Sequence, residues 1–148
     1  MENEVLKNML EANHRTLITD DEGNERFVAD SEGVRDLNYV FHKRKELLEN
    51  SVVYKDLFGG ANAIFCILGG AKKAYTKVAS EVAIAICKEN NFELHYEETI
   101  PFVLSNNGVT ICPIENASKS SKDLSVALKE VEKVIEFIKT KKVCPIVR

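Results

Sequence analysis

Several features that would assign a chain to a large protein class are missing from this sequence. No apolar run approaches the roughly 20 residues that a helix needs to cross a bilayer. The first four residues are acidic in character, unlike the basic start of a signal peptide. The cysteines form no close pair, which a zinc ribbon or a thioredoxin motif would require. They are Cys66, Cys87, Cys112 and Cys144. We therefore expect reduced thiols in a cytoplasmic protein.

A strong excess of basic residues is also missing. The chain has 20 Lys and Arg against 23 Asp and Glu, a net charge of −3. Broad attraction to nucleic acid or to a membrane needs a basic surface, so neither partner is expected. The 148 residues suit a single domain spanning 1–148.

Helical and extended patterns alternate along the chain. Apolar residues at helical spacing predict a first helix that ends near residue 13. Turn residues at 21–24 separate two extended stretches, which predicts an antiparallel hairpin. A second helical pattern follows, and Asp30 or Ser31 could cap it. The predicted elements are strands at 15–20 and 26–30 and a helix over 34–48.

The second half of the chain continues this alternation. Residues 57–68 are apolar and small and end at Gly69-Gly70, which predicts a buried helix, although a buried strand is possible. Ser80 is placed to cap a further helix. Ser120 and Asp123 resemble a capping box before the last helix. The remaining predicted elements are strands at 73–78 and 92–96, an extended piece at 100–104, and helices at 81–90 and about 121–140. Together they predict a three-layer α/β/α sandwich whose mixed sheet opens with the antiparallel hairpin.

A series of short motifs between residues 50 and 122 follows a recognisable order. The motifs are Lys55-Asp56, Gly59-Gly60-Ala61-Asn62-Ala63, Gly69-Gly70, Tyr75, Ser80-Glu81, Ile100-Pro101, Asn106-Asn107-Gly108 and Cys112-Pro113-Ile114-Glu115. In this order the chain resembles the bacterial and archaeal family called domain of unknown function 1893, over most of its length apart from the last helix. The resemblance implies a cytidine-deaminase-like fold and no established activity.

The sequence also departs from the pattern of that family at polar positions. Lys55-Asp56 stands where the family usually has Asp-Lys. Gly60-Ala61-Asn62 stands where it tends to have Lys-Ala-Ala, and Ser105-Asn106 lies near its usual Asn-Arg. These departures concern ligand chemistry more than the fold.

The ligands of a deaminase zinc ion are absent from the corresponding segments. Zinc deaminases need a His or Cys two residues before a catalytic Glu, followed by a Pro-Cys-x-x-Cys pair. The segment 55–60 contains no His, Cys or Glu, and the segment 78–81 contains no Cys. Without these ligands no metal-activated hydroxide can form, so we expect neither zinc deamination nor a bound metal or cofactor.

The pocket of the fold is expected to persist without its metal. In a deaminase-like fold two helix N-termini point into the former metal site, where exposed N–H groups attract anions. Gly59 and Gly60 would let a ligand approach the backbone, or would serve tight helix packing. Ser80 could contact the ligand, although N-capping also accounts for it.

Three further polar residues are candidates for the same pocket. Lys55 and Asp56 could form a charged pair at its mouth, or an exposed helix start where Asp56 meets the helix dipole. Asn62 lies within an apolar helix and needs a hydrogen-bond partner, either a ligand or nearby backbone.

Cys112 precedes Pro113 and therefore cannot lie in the middle of a helix. It could be a nucleophile, with Glu115 nearby, or a structural or ligand-lining thiol. Cys66 and Cys87 lie in apolar stretches and are predicted to be core residues.

Three hypotheses follow from these residues. The first is binding of a small anionic or nucleotide-like ligand by Lys55, Asp56, Gly59, Gly60, Asn62, Ser80, Cys112 and Glu115. The second is a metal-free enzyme that uses Cys112 with Lys55, Asp56 or Glu115. The third is an interaction module without a ligand. The apolar stripe of the last helix could pack on the sheet or against a second copy, so an oligomer is possible.

Overall fold

A five-stranded mixed sheet forms the centre of the protein in the computed structural model, which describes residues 3–105 and 107–141. The elements in chain order are α1 (Glu4–Glu11), β1 (Thr16–Thr19), β2 (Glu25–Ala29), α2 (Arg35–Lys43), a 3-10 turn (Lys45–Leu47), β3 (Val52–Phe58), α3 (Gly60–Gly69), β4 (Lys73–Ser80), α4 (Glu81–Glu89), β5 (Glu93–Ile100), α5 (Pro113–Ser118) and α6 (Leu124–Lys141). The strand order is β2-β1-β3-β4-β5. Helices flank this sheet, as predicted for a three-layer α/β/α sandwich.

Strand pairing in the sheet is antiparallel around β1 and parallel in the rest of the sheet. The predicted hairpin is confirmed, because β1 pairs antiparallel with β2 and also with β3. From β3 onward the pairing is parallel, through β4 to β5. Each parallel connection passes through one helix, α3 and then α4. The carboxyl ends of β3 and β4 therefore meet at one edge, where both helices begin.

Adjacent residues of β3 show that helices cover both faces of the sheet. Side chains alternate between the two faces of a strand. Val53 belongs to the main core cluster, which α2, α3, α4 and α6 also supply. Its neighbours Val52 and Tyr54 belong to a second cluster with Leu6 and Met9 of α1. Thus α1 covers one face, and the main core lies on the other.

The boundary between β3 and α3 differs from the prediction. Leu57 and Phe58 were expected at the start of the buried helix, but they belong to β3 and pair with β4. The helix begins only at Gly60 and ends at Gly69, and the C-cap residue Gly70, with φ of 84°, provides the predicted stop. An apolar run that is buried as a strand and then as a helix carries no periodicity to mark the change.

The predicted helix caps have mixed outcomes. Ser80 caps α4 as predicted, since its side chain accepts a hydrogen bond from the N–H of Ala83. The capping of α2 by Asp30 or Ser31 was wrong, because Val34 holds the N-cap position without a side-chain bond. Gly33, with φ of 69°, makes a turn that separates those residues from the helix.

The end of the chain also corrects the prediction. The predicted capping box of Ser120 and Asp123 at the start of α6 was wrong, because Asp123 bonds to other residues. Asp123 Oδ1 accepts from the N–H of Ser125, while Asp123 N–H donates to Ser121 Oγ. The short helix α5 was not predicted at all. Asn106, in the predicted turn, and Cys144, in the tail, lie outside the described residues.

No helix within residues 3–105 and 107–141 is both long enough and apolar enough to span a membrane.

Candidate functional site

The site lies where β3 turns into α3. Gly59 has an extended backbone and occupies the N-cap position of α3, but it has no side chain with which to accept the free N–H groups of the first turn. These groups carry the positive end of the helix dipole. An acceptor from another part of the chain must therefore supply the cap.

Glu115 of α5 supplies that acceptor. Its carboxylate is buried, with only 2% of the residue exposed. Oε1 accepts from the N–H of Gly60 at 2.6 Å, and Oε2 accepts from the N–H of Val103 at 2.8 Å. One carboxylate thus connects α5, the start of α3 and the segment after β5. It occupies the place that the sequence predicted for an anionic ligand.

A cavity of about 80 Å³ lies beside this carboxylate. Four of the predicted ligand-binding residues line it, namely Gly59, Asn62, Cys112 and Glu115. The rest of its wall is mainly apolar. It consists of Gly33, Val34, Leu57, Ala61, Val103 and Ile114. The structure therefore brings together half of the predicted set, from two segments that lie 50 residues apart in the chain.

Asn62 is the polar residue of this wall whose hydrogen bonding is incomplete. It lies in the first turn of α3 and is 2% exposed. Its Nδ2 donates to the carbonyl oxygen of Leu57 at 3.3 Å, which is the backbone partner that the sequence predicted as one alternative. Its Oδ1 is buried and accepts no hydrogen bond from any group in residues 3–105 and 107–141. Such an unsatisfied acceptor costs roughly 1–3 kcal/mol.

The two glycines at the start of α3 have different roles. A Cβ on Gly60 would lie 2.8 Å from Ser118 Cβ and 2.9 Å from Val82 Cγ1. Gly60 is therefore required for the packing of α3 against α4 and α5. A Cβ on Gly59 would lie 3.0 Å from Glu115 Oε1. Gly59 thus allows the internal carboxylate to approach the backbone, and it lines the cavity as well.

Lys55 and Asp56 lie in β3, so the expected helix start at these residues was wrong. Lys55 is fully buried, and its Nζ donates to Thr16 Oγ1 at 3.0 Å. Thr16 Oγ1 in turn donates to Asp36 Oδ2 at 2.9 Å. Asp56 Oδ1 lies 3.5 Å from Lys55 Nζ. Neither residue of the pair is part of the cavity wall.

Burial lowers the pKa of Lys55, while the charges of Asp56 and Asp36 act in the opposite direction. The ammonium group is thus held in an internal network with Thr16 and the two carboxylates. This network supports the β1–β3 pair and the start of α2.

The remaining candidates are placed as follows. Ser80 is fully buried, and its hydroxyl is engaged as the cap of α4, outside the cavity wall. Cys112 is half-buried at the N-cap of α5 and lines the cavity. Cys66 and Cys87 are core residues, as predicted, and burial raises the pKa of Cys87 to about 12. Within the described part of the chain, no group of three His, Cys, Asp or Glu side chains is placed to hold a metal ion.

Two parts of the site were missed by sequence reasoning. Val103, which donates to Glu115 and lines the cavity, lies in a stretch that was predicted only as extended chain. The helix α5 was missed although Pro113 holds its first position, which is where proline is favoured in helices. Recognising Pro113 as a helix start would have placed Glu115 in the first turn.

These features define a mixed α/β protein with a small, mainly apolar cavity at the carboxyl edge of its parallel strands. The chain belongs to the family described as a domain of unknown function (DUF1893), whose sequence profile matches residues 5–138. The family predicted from the motif order is therefore confirmed. The match also extends through most of α6, beyond the part that the motifs covered.

A solved structure supports this assignment. The protein is similar to a DUF1893 family protein from Thermotoga maritima, whose crystal structure was determined at 2.70 Å resolution. The two are 26% identical in sequence, with a TM-score of 0.77. The similarity covers 87% of this chain and 86% of the other. Among curated proteins no sequence matches this chain.

Proposed function

We propose that this protein binds a small molecule in the cavity at the start of α3. The buried Oδ1 of Asn62 carries the proposal, because it accepts no hydrogen bond from residues 3–105 and 107–141 and Asn62 is one of the residues of the cavity wall. A ligand that donates to this oxygen would remove its desolvation cost. Mainly apolar pockets with a few converging polar groups are typical binding sites.

The proposal includes a cytidine-deaminase-like fold without its zinc chemistry. Two successive parallel strand–helix units support it, since the starts of α3 and α4 lie side by side. A Cβ on Gly60 would touch Val82 of the neighbouring helix, which reflects that proximity. The residue types at 55–60 and 78–81 offer no zinc ligand set, so zinc-dependent deamination is not proposed.

The size of the cavity limits the ligand. Pockets for drug-sized ligands measure about 300–1,000 Å³, whereas this cavity measures about 80 Å³. A complete nucleotide is therefore too large for it. A small metabolite would fit, or one compact group of a larger molecule whose remainder stays outside.

An enzymatic role is the second candidate. Cys112 and Glu115 line the same cavity, so a bound molecule would lie near a thiol and a carboxylate. Lys55 and Asp56 do not line it, so Lys55 is not placed to favour a thiolate in the metal-free mechanism. Binding without catalysis is the simpler function of these groups.

A screen of small metabolites and fragments by thermal shift tests the proposal. A ligand at 100 times its dissociation constant should stabilise the protein by roughly 2.7 kcal/mol. The change Asn62→Leu, which keeps the branched shape and the number of heavy atoms and removes both polar atoms, is expected to abolish the stabilisation by the selected compound.

Ser51→Ala is the matched control. Ser51 Oγ is also buried without a partner among the described residues, but Ser51 does not line the cavity. Ligand binding should survive this change. A screen without any stabilising compound, or equal stabilisation of the Asn62→Leu protein, would count against binding at this cavity.

A further inference from the structure

We infer that the cavity selects uncharged molecules that carry an N–H or O–H donor, and that it disfavours anions. This inference rests on the proposed function, because it concerns the ligand of the same cavity. It departs from the anionic ligand that the fold alone suggested. Its basis is the set of polar groups that the cavity presents.

The polar side chains of the cavity wall offer acceptors more than donors. One N–H of Asn62 Nδ2 donates to the carbonyl oxygen of Leu57, and Oδ1 accepts no hydrogen bond from the described residues. Glu115 contributes two carboxylate oxygens, each with one backbone donor. A carboxylate oxygen has capacity for a further hydrogen bond. Such a wall fits a ligand that donates.

An anion would meet no compensating charge here. No Lys, Arg or His is among the described residues of the cavity wall. The N–H groups of Gly60 and Val103, which could have received an anion, already donate to Glu115. A second negative charge beside a buried carboxylate is strongly unfavourable. At the start of α4, the N–H of Ala83 likewise already donates to Ser80 Oγ.

A cation is disfavoured for a different reason. The start of α3 carries the positive end of its dipole, roughly half an elementary charge, which offsets part of the Glu115 charge. A cation would lose its hydration in a mainly apolar cavity and would approach the same helix terminus. Loss of hydration disfavours a cation and the like charge of Glu115 disfavours an anion, so an uncharged donor is the best match.

The apolar wall and the volume of the cavity limit the size and polarity of the part of the ligand that can enter it. Val34, Leu57, Val103 and Ile114 surround the cavity of about 80 Å³. An apolar protein cavity of about 150 Å³ accommodates benzene. A smaller body, such as a five-membered heterocycle, suits this site, with its N–H directed to Asn62 Oδ1.

Pyrrole and furan provide a matched pair of probes. They have nearly the same size, but pyrrole donates a hydrogen bond and furan does not. We expect pyrrole to shift the NMR signals of the Asn62 side-chain amide and of the Gly60 and Val103 amides. One hydrogen bond to a buried acceptor should make its dissociation constant about fivefold lower than that of furan. Inorganic phosphate should produce no saturable shift at these signals.

The outcomes separate this inference from the proposed function. Equal binding of pyrrole and furan would leave the cavity as a binding site and overturn the donor requirement. Saturable binding of phosphate at the same signals would overturn the exclusion of anions. If neither heterocycle shifts these signals, both the inference and binding at this cavity fail. In Asn62→Leu the preference for pyrrole should disappear, and in Ser51→Ala it should remain.

Discussion

Glu115 is a buried carboxylate whose two oxygens are both used within the protein. It caps α3 through Gly60 and holds the segment after β5 through Val103. Hydrogen bonds to a charged carboxylate contribute more than neutral ones, and the helix dipole adds to them. At the scale of single residues, the cavity wall is therefore set by a contact between parts of the chain that are distant in sequence.

The change Glu115→Gln tests this role. A glutamine keeps the size but offers one oxygen instead of two, so one buried N–H would face an amide NH₂ group. We expect a loss of about 2–3 kcal/mol in the free energy of unfolding, measured by urea denaturation. Glu46→Gln, at an exposed ion pair with Arg44, should leave stability almost unchanged. Equal effects of the two changes would contradict the capping role.

Lys55 is a buried residue that alters how stability depends on pH. Its pKa in the folded protein lies below its ordinary value of 10.5, because burial disfavours the charged form. Between the lowered pKa and 10.5, the unfolded chain binds the proton more strongly than the folded one. Stability contributed by this group must therefore rise as pH increases through that window.

The variant Lys55→Met isolates the effect. The difference in unfolding free energy between wild type and variant should grow in favour of wild type as pH rises towards 10.5. Urea titrations at several values from pH 7 upward would measure it. A difference between wild type and Lys55→Met that stays constant over this pH range would refute the lowered pKa.

At the scale of elements, the start of α3 is packed too closely for any side chain. A Cβ added to Gly60 would overlap with the side chains of Ser118 in α5 and Val82 in α4. This contact sets the relative position of three helices, and with it the distance between Glu115 and Asn62. The geometry of the cavity thus depends on a glycine that does not line it.

Gly60→Ala should destabilise the protein, although alanine is the better helix former by about 1 kcal/mol. Overpacking in a close contact costs about 1–3 kcal/mol, and the neighbouring helices would have to move. Urea denaturation measures the change. In a Ser118→Gly background the cost should be smaller, since the nearest side chain is absent. A cost that is unchanged in this double-mutant cycle would show that Ser118 is not the obstacle.

At the scale of the whole molecule, the antiparallel and parallel halves of the mixed sheet position different groups of residues. The antiparallel half, β2-β1-β3, contains Lys55 and Thr16, which form a network with Asp36 of α2. The parallel half, β3-β4-β5, brings the starts of α3 and α4 together at one edge. The related protein from Thermotoga maritima has the same overall arrangement at 26% identity. Two chains that differ at about three quarters of their compared positions therefore share a similar fold.

Local patterns of the sequence determined much of this fold. The hairpin, the Ser80 cap, the stop at Gly70 and the family all follow from residues that lie near each other in the chain, because turns and caps are local interactions. The helix α5 and the end of β3 escaped prediction. Each lies in a segment whose burial comes from distant partners, which no local period records.

The roles of the site residues were decided by the tertiary structure. The sequence placed Asn62 and Glu115 among eight candidates, but it could not show that Glu115 would occupy the anion position at α3. It also could not show that Lys55 is buried against Thr16 or that Asn62 keeps an unpartnered oxygen. Hydrogen bonding of a buried group depends on which distant groups reach it. The sequence by itself therefore determined the fold and the region of the cavity, and packing decided which polar groups remain for a ligand.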